Sequence, residues 1–131
     1  MHLATNNSLS TYPNIRFPAK TEYLADLGGF LQRHCQQSDK IAIVELATTE
    51  IVVNAINHGQ ASYYEVYINA SNNDLEIIII DDGLEFNPLQ PTGLKLGELR
   101  EGGYGLAIVQ QIAQSCSYQR QAHHNYFRMV F

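Results

Sequence analysis

Glu50, Asn54, Asn57 and His58 are the residues whose types and spacing first suggest chemistry in this chain. They sit in residues 45–59, a stretch otherwise made mostly of Ile, Val, Leu and Ala, which predicts a buried helix. With about 3.6 residues per turn, their offsets gather all four within an arc of about 100°. A buried amide or carboxylate left unpaired costs roughly 1–3 kcal/mol, so the stripe needs hydrogen-bond partners, and a bound ligand is one candidate. A carboxylate one turn from an amide oxygen is also a base beside a ligand for Mg²⁺, a hard cation that prefers oxygen donors and keeps several waters. Taken alone, Glu-x-x-x-Asn equally fits the exposed face of an ordinary helix.

Two further clusters interrupt core-forming runs. Asp81-Asp82-Gly83 follows the isoleucines at 77–80. Successive strand side chains point to opposite faces, so only one of the two aspartates looks toward a pocket. A carboxylate there accepts a hydrogen bond from an exocyclic amine such as adenine's, and Gly83 lets a flat base approach the backbone; a strand-ending turn is the plainer alternative. Gly102-Gly103-Tyr104-Gly105-Leu106 opens a helical pattern. Free N–H groups and the helix dipole favour phosphate oxygens at such a start, although a plain glycine-rich helix opening also fits. No Walker Lys-Ser/Thr follows and Gly-x-Gly-x-x-Gly is absent, which excludes the two commonest nucleotide loops. Between these clusters, residues 84–101 carry Pro88, Pro91, Gly93 and Gly97 and have the length of a lid, with Lys95 and Arg100 as cations able to reach a phosphate on closure.

The elements that must position these residues follow from periodicity. Residues 1–12 are polar and aperiodic and read as a loose arm. Ile15-Arg16-Phe17-Pro18 predicts a short edge strand, and Thr21 to His34 a helix. Ser38 or Asp39 offers the N-cap of the helix ending at His58, with Gly59 as its stop. Residues 64–68 alternate, 71–74 are turn chemistry and 75–80 form a β-branched strand, together a hairpin. Gly105 to about Ser115 predicts a helix, and 117–120 and 126–131 two strands around His123-His124-Asn125. The expected fold is α+β, a two-layer sandwich of a mixed β-sheet with helices on one face.

With 131 residues the chain fits one domain, expected as an arm over 1–13 and a folded unit over 14–131. A formal charge of −5 with only eight Lys and Arg argues against direct nucleic-acid binding. No apolar run approaches a membrane span and no signal pattern opens the chain, so a cytoplasmic location without membrane attachment is expected. Cys35 and Cys116 lack Cys-x-x-Cys spacing and read as two buried thiols.

Glu50-x-x-x-Asn54-Ala55-x-x-His58-Gly59 on a helix, Asp81-x-Gly83 after a strand, then a lid and Gly102-Gly103-Tyr104-Gly105-Leu106 resemble the ordered nucleotide boxes of the GHKL ATPases. Within that superfamily, Ile15-Arg16-Phe17-Pro18-Ala19, Tyr118-Gln119-Arg120 and Asn125-Tyr126-Phe127-Arg128-Met129 look most like the bacterial anti-sigma-factor serine/threonine kinases, the resemblance covering residues 14–131. The resemblance implies ATP and Mg²⁺ as cofactors. It implies Glu50 as general base and Asn54 as Mg²⁺ ligand near the phosphates, with Asn57 and His58 beside the nucleotide. It further implies Asp81 as adenine reader, Gly83 as the base-approach glycine, and Gly102, Gly103, Gly105 and Leu106 at the end of the lid around the triphosphate. Such kinases phosphorylate a serine of a STAS-type anti-sigma antagonist, sequester a sigma factor in their other state, and form homodimers. Glu85 stands where many relatives of the superfamily have a second glycine. A nucleotide-sensing binding module of the same fold without phosphotransfer is the alternative expectation.

Overall fold

The computed structural model describes residues 9–35, 38–71, 74–89 and 103–131. Five strands, β1 (Asn14–Pro18), β2 (Tyr63–Ser71), β3 (Asp74–Asp81), β4 (Ser115–Gln121) and β5 (His124–Val130), form one sheet in the order β1-β2-β3-β5-β4. Helices α1 (Leu24–Cys35), α2 (Ile41–Asn57) and α3 (Gly103–Ile112) pack on one face, giving the expected two-layer α+β architecture. The sheet is not mixed as expected, because all four pairings are antiparallel. Topology explains the difference. Strands β3 and β4 run parallel across the connection that holds α3, but β5 inserts between them and pairs antiparallel with both.

The core lies between helices and sheet, with Leu27 and Leu31 of α1, Val44 and Val52 of α2, and Val66, Ile77 and Met129 from the strands fully buried. The helix expected from Thr21 begins as a 3₁₀ turn over Thr21–Tyr23. At the entry to α2, Ser38 Oγ accepts from the Lys40 N–H at 3.1 Å, so its hydroxyl satisfies a donor of the incoming turn while Lys40 occupies the cap position. The helix stops at His58, where Gly59 N–H reaches back to the Asn54 carbonyl at 3.2 Å and the left-handed residue is Gln60 rather than Gly59.

Strand β3 is buried on both faces. Ile77 and Ile79 face the helices, whereas Ile78 and Ile80 face away and are covered by Leu9, Tyr12, Tyr67 and Tyr126. Leu9 is 1% exposed, so the segment expected as a loose arm is anchored from that point on. The cause is the sheet itself, since two large aliphatic side chains on an open face gain about 1.5–3 kcal/mol each when covered. Cys35 is buried and its thiol is pushed up to about 11 by burial; Cys116 is only half-buried, and no disulfide joins them. Among the described residues, no helix is long and apolar enough to cross a membrane.

Candidate functional site

The C-terminal half of α2, the end of β3 and the β4–β5 pair frame a shallow cleft of about 310 Å³, open solvent at its mouth included. Helix α2 supplies Ile51, Asn54 and Ala55, and the loop after β3 supplies Phe86 and Pro88. Asp81, Tyr118, Asn125 and Phe127 line it from the sheet. Apolar walls with a few convergent polar groups suit a flat heterocycle.

The sheet pleat separates the two aspartates. Asp81 faces the cleft and is 6% exposed. Its Oδ1 accepts from Gly83 N–H at 2.8 Å and from Asn125 Nδ2 at 2.9 Å, and Oδ2 has no partner among the described residues. Burial pushes the Asp81 carboxyl above its ordinary value, against the opposing pull of the Asn125 and Gly83 hydrogen bonds. Asp82 turns the other way. Its Oδ1 accepts from the backbone N–H groups of Ser62 at 2.8 Å and Tyr63 at 3.1 Å, and its Oδ2 from the Ser62 hydroxyl. Burial is the largest single influence and raises Asp82, yet the hydrogen bonds from Ser62 and Tyr63 together outweigh it and hold the carboxyl below its ordinary value.

Gly83 is buried where no side chain fits. A Cβ there would stand 2.7 Å from the Gly59 carbonyl oxygen and 3.0 Å from Asp81 Oδ1. Leu84 N–H donates to that same Gly59 oxygen at 2.7 Å, which ties the loop after β3 to the end of α2. The two glycines of distant motifs thus meet as a backbone-to-backbone joint beneath the cleft.

On α2, Asn54 lines the cleft, and one turn earlier Glu50 carries a buried Oε2 with no hydrogen-bond partner among the described residues. Burial pushes the Glu50 carboxyl above its ordinary value. His58 is exposed and stacks on Phe86 with ring centroids 5.9 Å apart. Asn57, at the last position of the helix, is exposed and does not line the cleft. Gly103 and Gly105 open α3, with Leu106 in its first turns, and α3 packs against α2. Gly102 and the lid cations Lys95 and Arg100 lie outside the described residues.

Sequence reasoning missed the most connected polar residue of the site. Asn125, 5% exposed, donates from Nδ2 to Asp81 Oδ1 and, at 2.8 Å, to the Leu84 carbonyl. Its Oδ1 accepts from the Tyr118 hydroxyl at 2.5 Å, from Arg120 Nη1 at 3.1 Å and from Phe86 N–H at 3.4 Å. Arg120 Nη1 also donates to the Gly83 carbonyl at 2.8 Å. Parity was the available signal, because Asn125 shares a strand face with Phe127 and Met129, both buried.

These residues fit a nucleotide and its metal. The Asp81 oxygen without a partner among the described residues would accept from an amine of a base, and the buried Glu50 oxygen faces no donor among the described residues. The Cβ direction of Gly83 is filled by the Gly59 carbonyl, so the glycine there is required by that joint and does not open space for a base. No group of three or more His, Cys, Asp or Glu side chains forms a metal cage among the described residues. Asn54 is instead a single oxygen donor, consistent with Mg²⁺ held by one or two protein oxygens together with substrate phosphates and water.

Residues 17–131 match the family described as the histidine kinase-like ATPase domain. The chain belongs to that family. It is 25% identical over 133 aligned residues to the serine-protein kinase RsbW of Staphylococcus aureus strain JH9, and equally to that of strain Newman, covering 88% of this chain and 83% of the relative. Among solved structures, the RsbU and RsbW domains of Rv1364c from Mycobacterium tuberculosis superpose with a TM-score of 0.59 at 15% identity, covering 90% of this chain and 32% of the longer one. That superposition shows the histidine kinase-like fold.

Proposed function

We propose that this ATPase-family chain is a Mg-ATP-dependent protein serine/threonine kinase of the anti-sigma type. It phosphorylates a serine of a STAS-type antagonist, sequesters a sigma factor in its other state, and works as a cytoplasmic homodimer. The observation that carries the reading is the pairing of Glu50, with its buried unpartnered oxygen, and Asn54 one turn further along a helix that ends beside Asp81. Similarity to serine-protein kinases across most of both chains supports the same reading.

Mg-ATP, when bound, supplies the γ-phosphoryl group and neutralises charge on its oxygens. Asp81 Oδ2 orients the base by accepting from its amine, and the apolar walls exclude water around it. Asn54 offers a carbonyl oxygen to the metal. Glu50 accepts the proton of the attacking serine hydroxyl, a task suited to a carboxylate whose basicity is raised by burial. The N-terminus of α3, with Gly103 and Gly105, presents N–H groups to phosphate oxygens.

The test is transfer of phosphate to a STAS-type protein, read by mass spectrometry as phosphoserine. Glu50→Gln is expected to lower transfer by about 10²-fold or more while retaining Mg-ADP binding. Absence of any transfer by the wild-type chain, with tight Mg-ATP binding and partner capture intact, would favour a nucleotide-sensing module instead.

A further inference from the structure

Asn125 has no spare hydrogen-bonding capacity. Both amide hydrogens are used, one on Asp81 and one on the Leu84 carbonyl, and three donors converge on its oxygen. The amide orientation is therefore fixed by its surroundings, since exchanging N and O would set a donor against Tyr118, Arg120 and Phe86 N–H and an acceptor against a carboxylate. This residue cannot read a base directly. It does determine which Asp81 oxygen is engaged and which remains available.

We propose that Asn125 is the positioning residue for base selectivity. Locked by Tyr118 and Arg120, it holds Asp81 as an ionised acceptor with Oδ2 turned to the cleft, so that a purine bearing a 6-amino group is preferred over one bearing a 6-oxo group. The inference rests on the nucleotide reading of the cleft and deepens it.

The chemistry is one of donors and acceptors. An ionised carboxylate only accepts, so it matches the amine of adenine and opposes the carbonyl of hypoxanthine; a protonated one donates and tolerates the carbonyl. Burial already favours the protonated form of Asp81, and Asn125 supplies the side-chain hydrogen bond that counters it. The other ionisable groups around the cluster are Asp82 and Glu85 on the same segment, Tyr118 and Arg120 on β4, and Glu50 and His58 from α2. Asp82 favours the protonated form of Asp81 and Arg120 the ionised one. Arg120 itself is bonded to the Gly83 carbonyl and Asn125 rather than to the carboxylate, so it cannot replace the amide without moving.

The experiment is calorimetric titration of the full chain with Mg-ADP and Mg-IDP, in the wild type, Asn125→Ala and Tyr118→Phe, between about pH 6 and pH 8. Wild type is expected to prefer ADP by roughly 10²-fold, with little change across that range. Asn125→Ala is expected to reduce this preference by about tenfold, mainly by weakening ADP. Tyr118→Phe, which removes only the hydroxyl holding Asn125, should shift the ratio in the same direction by a smaller factor, and it decides the matter if Asn125→Ala does not fold. An equal loss of both nucleotides, or an unchanged ratio in a folded variant, would reduce Asn125 to a scaffold residue and overturn the proposal. Wild type binding neither nucleotide would overturn the nucleotide reading itself, and this inference with it.

Discussion

The two faces of the sheet treat charge in opposite ways. On the face away from the helices, Arg16 meets Glu65 at 2.9 Å and lies 4.1 Å above the Tyr63 ring, and Arg128 pairs with Glu76. On the helix-covered face, Asp81 and Glu50 each keep a carboxylate oxygen with no partner among the described residues. Charges on the open face are paired; on the covered face carboxylate oxygens stay unpaired at a cost in stability, as the proposed nucleotide site would require. Asp81 and Asp82 bring that contrast down to adjacent residues.

The largest expected effect separates those two. With Mg-ADP at about a hundred times its dissociation constant, the wild type should gain roughly 2.7 kcal/mol of stability, seen as a rise in unfolding temperature. Asp81→Asn should lose that gain while its unliganded midpoint stays level or rises. Asp82→Asn should lower the unliganded stability by about 1 kcal/mol and keep the ligand response. Equal loss of response in both variants would break the contrast. Next in size is Gly83→Ala, whose Cβ would collide with the Gly59 carbonyl at 2.7 Å. Urea unfolding should show a loss of about 1–3 kcal/mol, with weaker ADP binding because the joint under the cleft has moved.

The pH dependence of unliganded stability sharpens the same comparison. Asp81 is raised in the folded state, so the native form binds more protons than the unfolded chain between the ordinary and folded pKa values. Its contribution therefore improves as pH falls through that window. Asp82 is lowered, so its contribution is present above the ordinary carboxylate pKa and is lost as pH falls through the folded value. Urea midpoints followed downward from neutral pH should thus lose an acid-side gain in Asp81→Asn and an acid-side loss in Asp82→Asn. The smallest effect belongs to the open face. Arg16→Ala should leave the urea midpoint nearly in place and nucleotide binding unchanged, because its ion pair is exposed to solvent. A larger shift would mean that pairing on this face also supports the cleft.

Much of this was legible because it follows from periodicity. The pleat assigns Asp81 and Asp82 to opposite faces, and the helix period puts Asn54 in the cleft one turn after Glu50, which does not itself line it. Two features were hidden for physical reasons. Leu9 is a single apolar residue in a polar stretch, and only the exposed side of β3 gives it somewhere to go. Asn125 was placed in a turn because His123-His124-Asn125 carries more turn-like chemistry than Ala122-His123, the pair that makes the reversal with φ values of 51° and 64°. Neither Ala nor His announces a left-handed turn, so the hairpin register could not be read from residue type.

That two-residue reversal has an evolutionary consequence. Because strand side chains alternate, a slip of β5 by one residue against its neighbours would exchange its whole inward set for the outward one, presenting His124 or Tyr126 to Asp81 in place of Asn125. Mutational drift in most surface loops is tolerated in both length and composition. Here a change of loop length that brought such a slip would be selected against as a substitution of Asn125 would be, because both alter the side chain that meets Asp81.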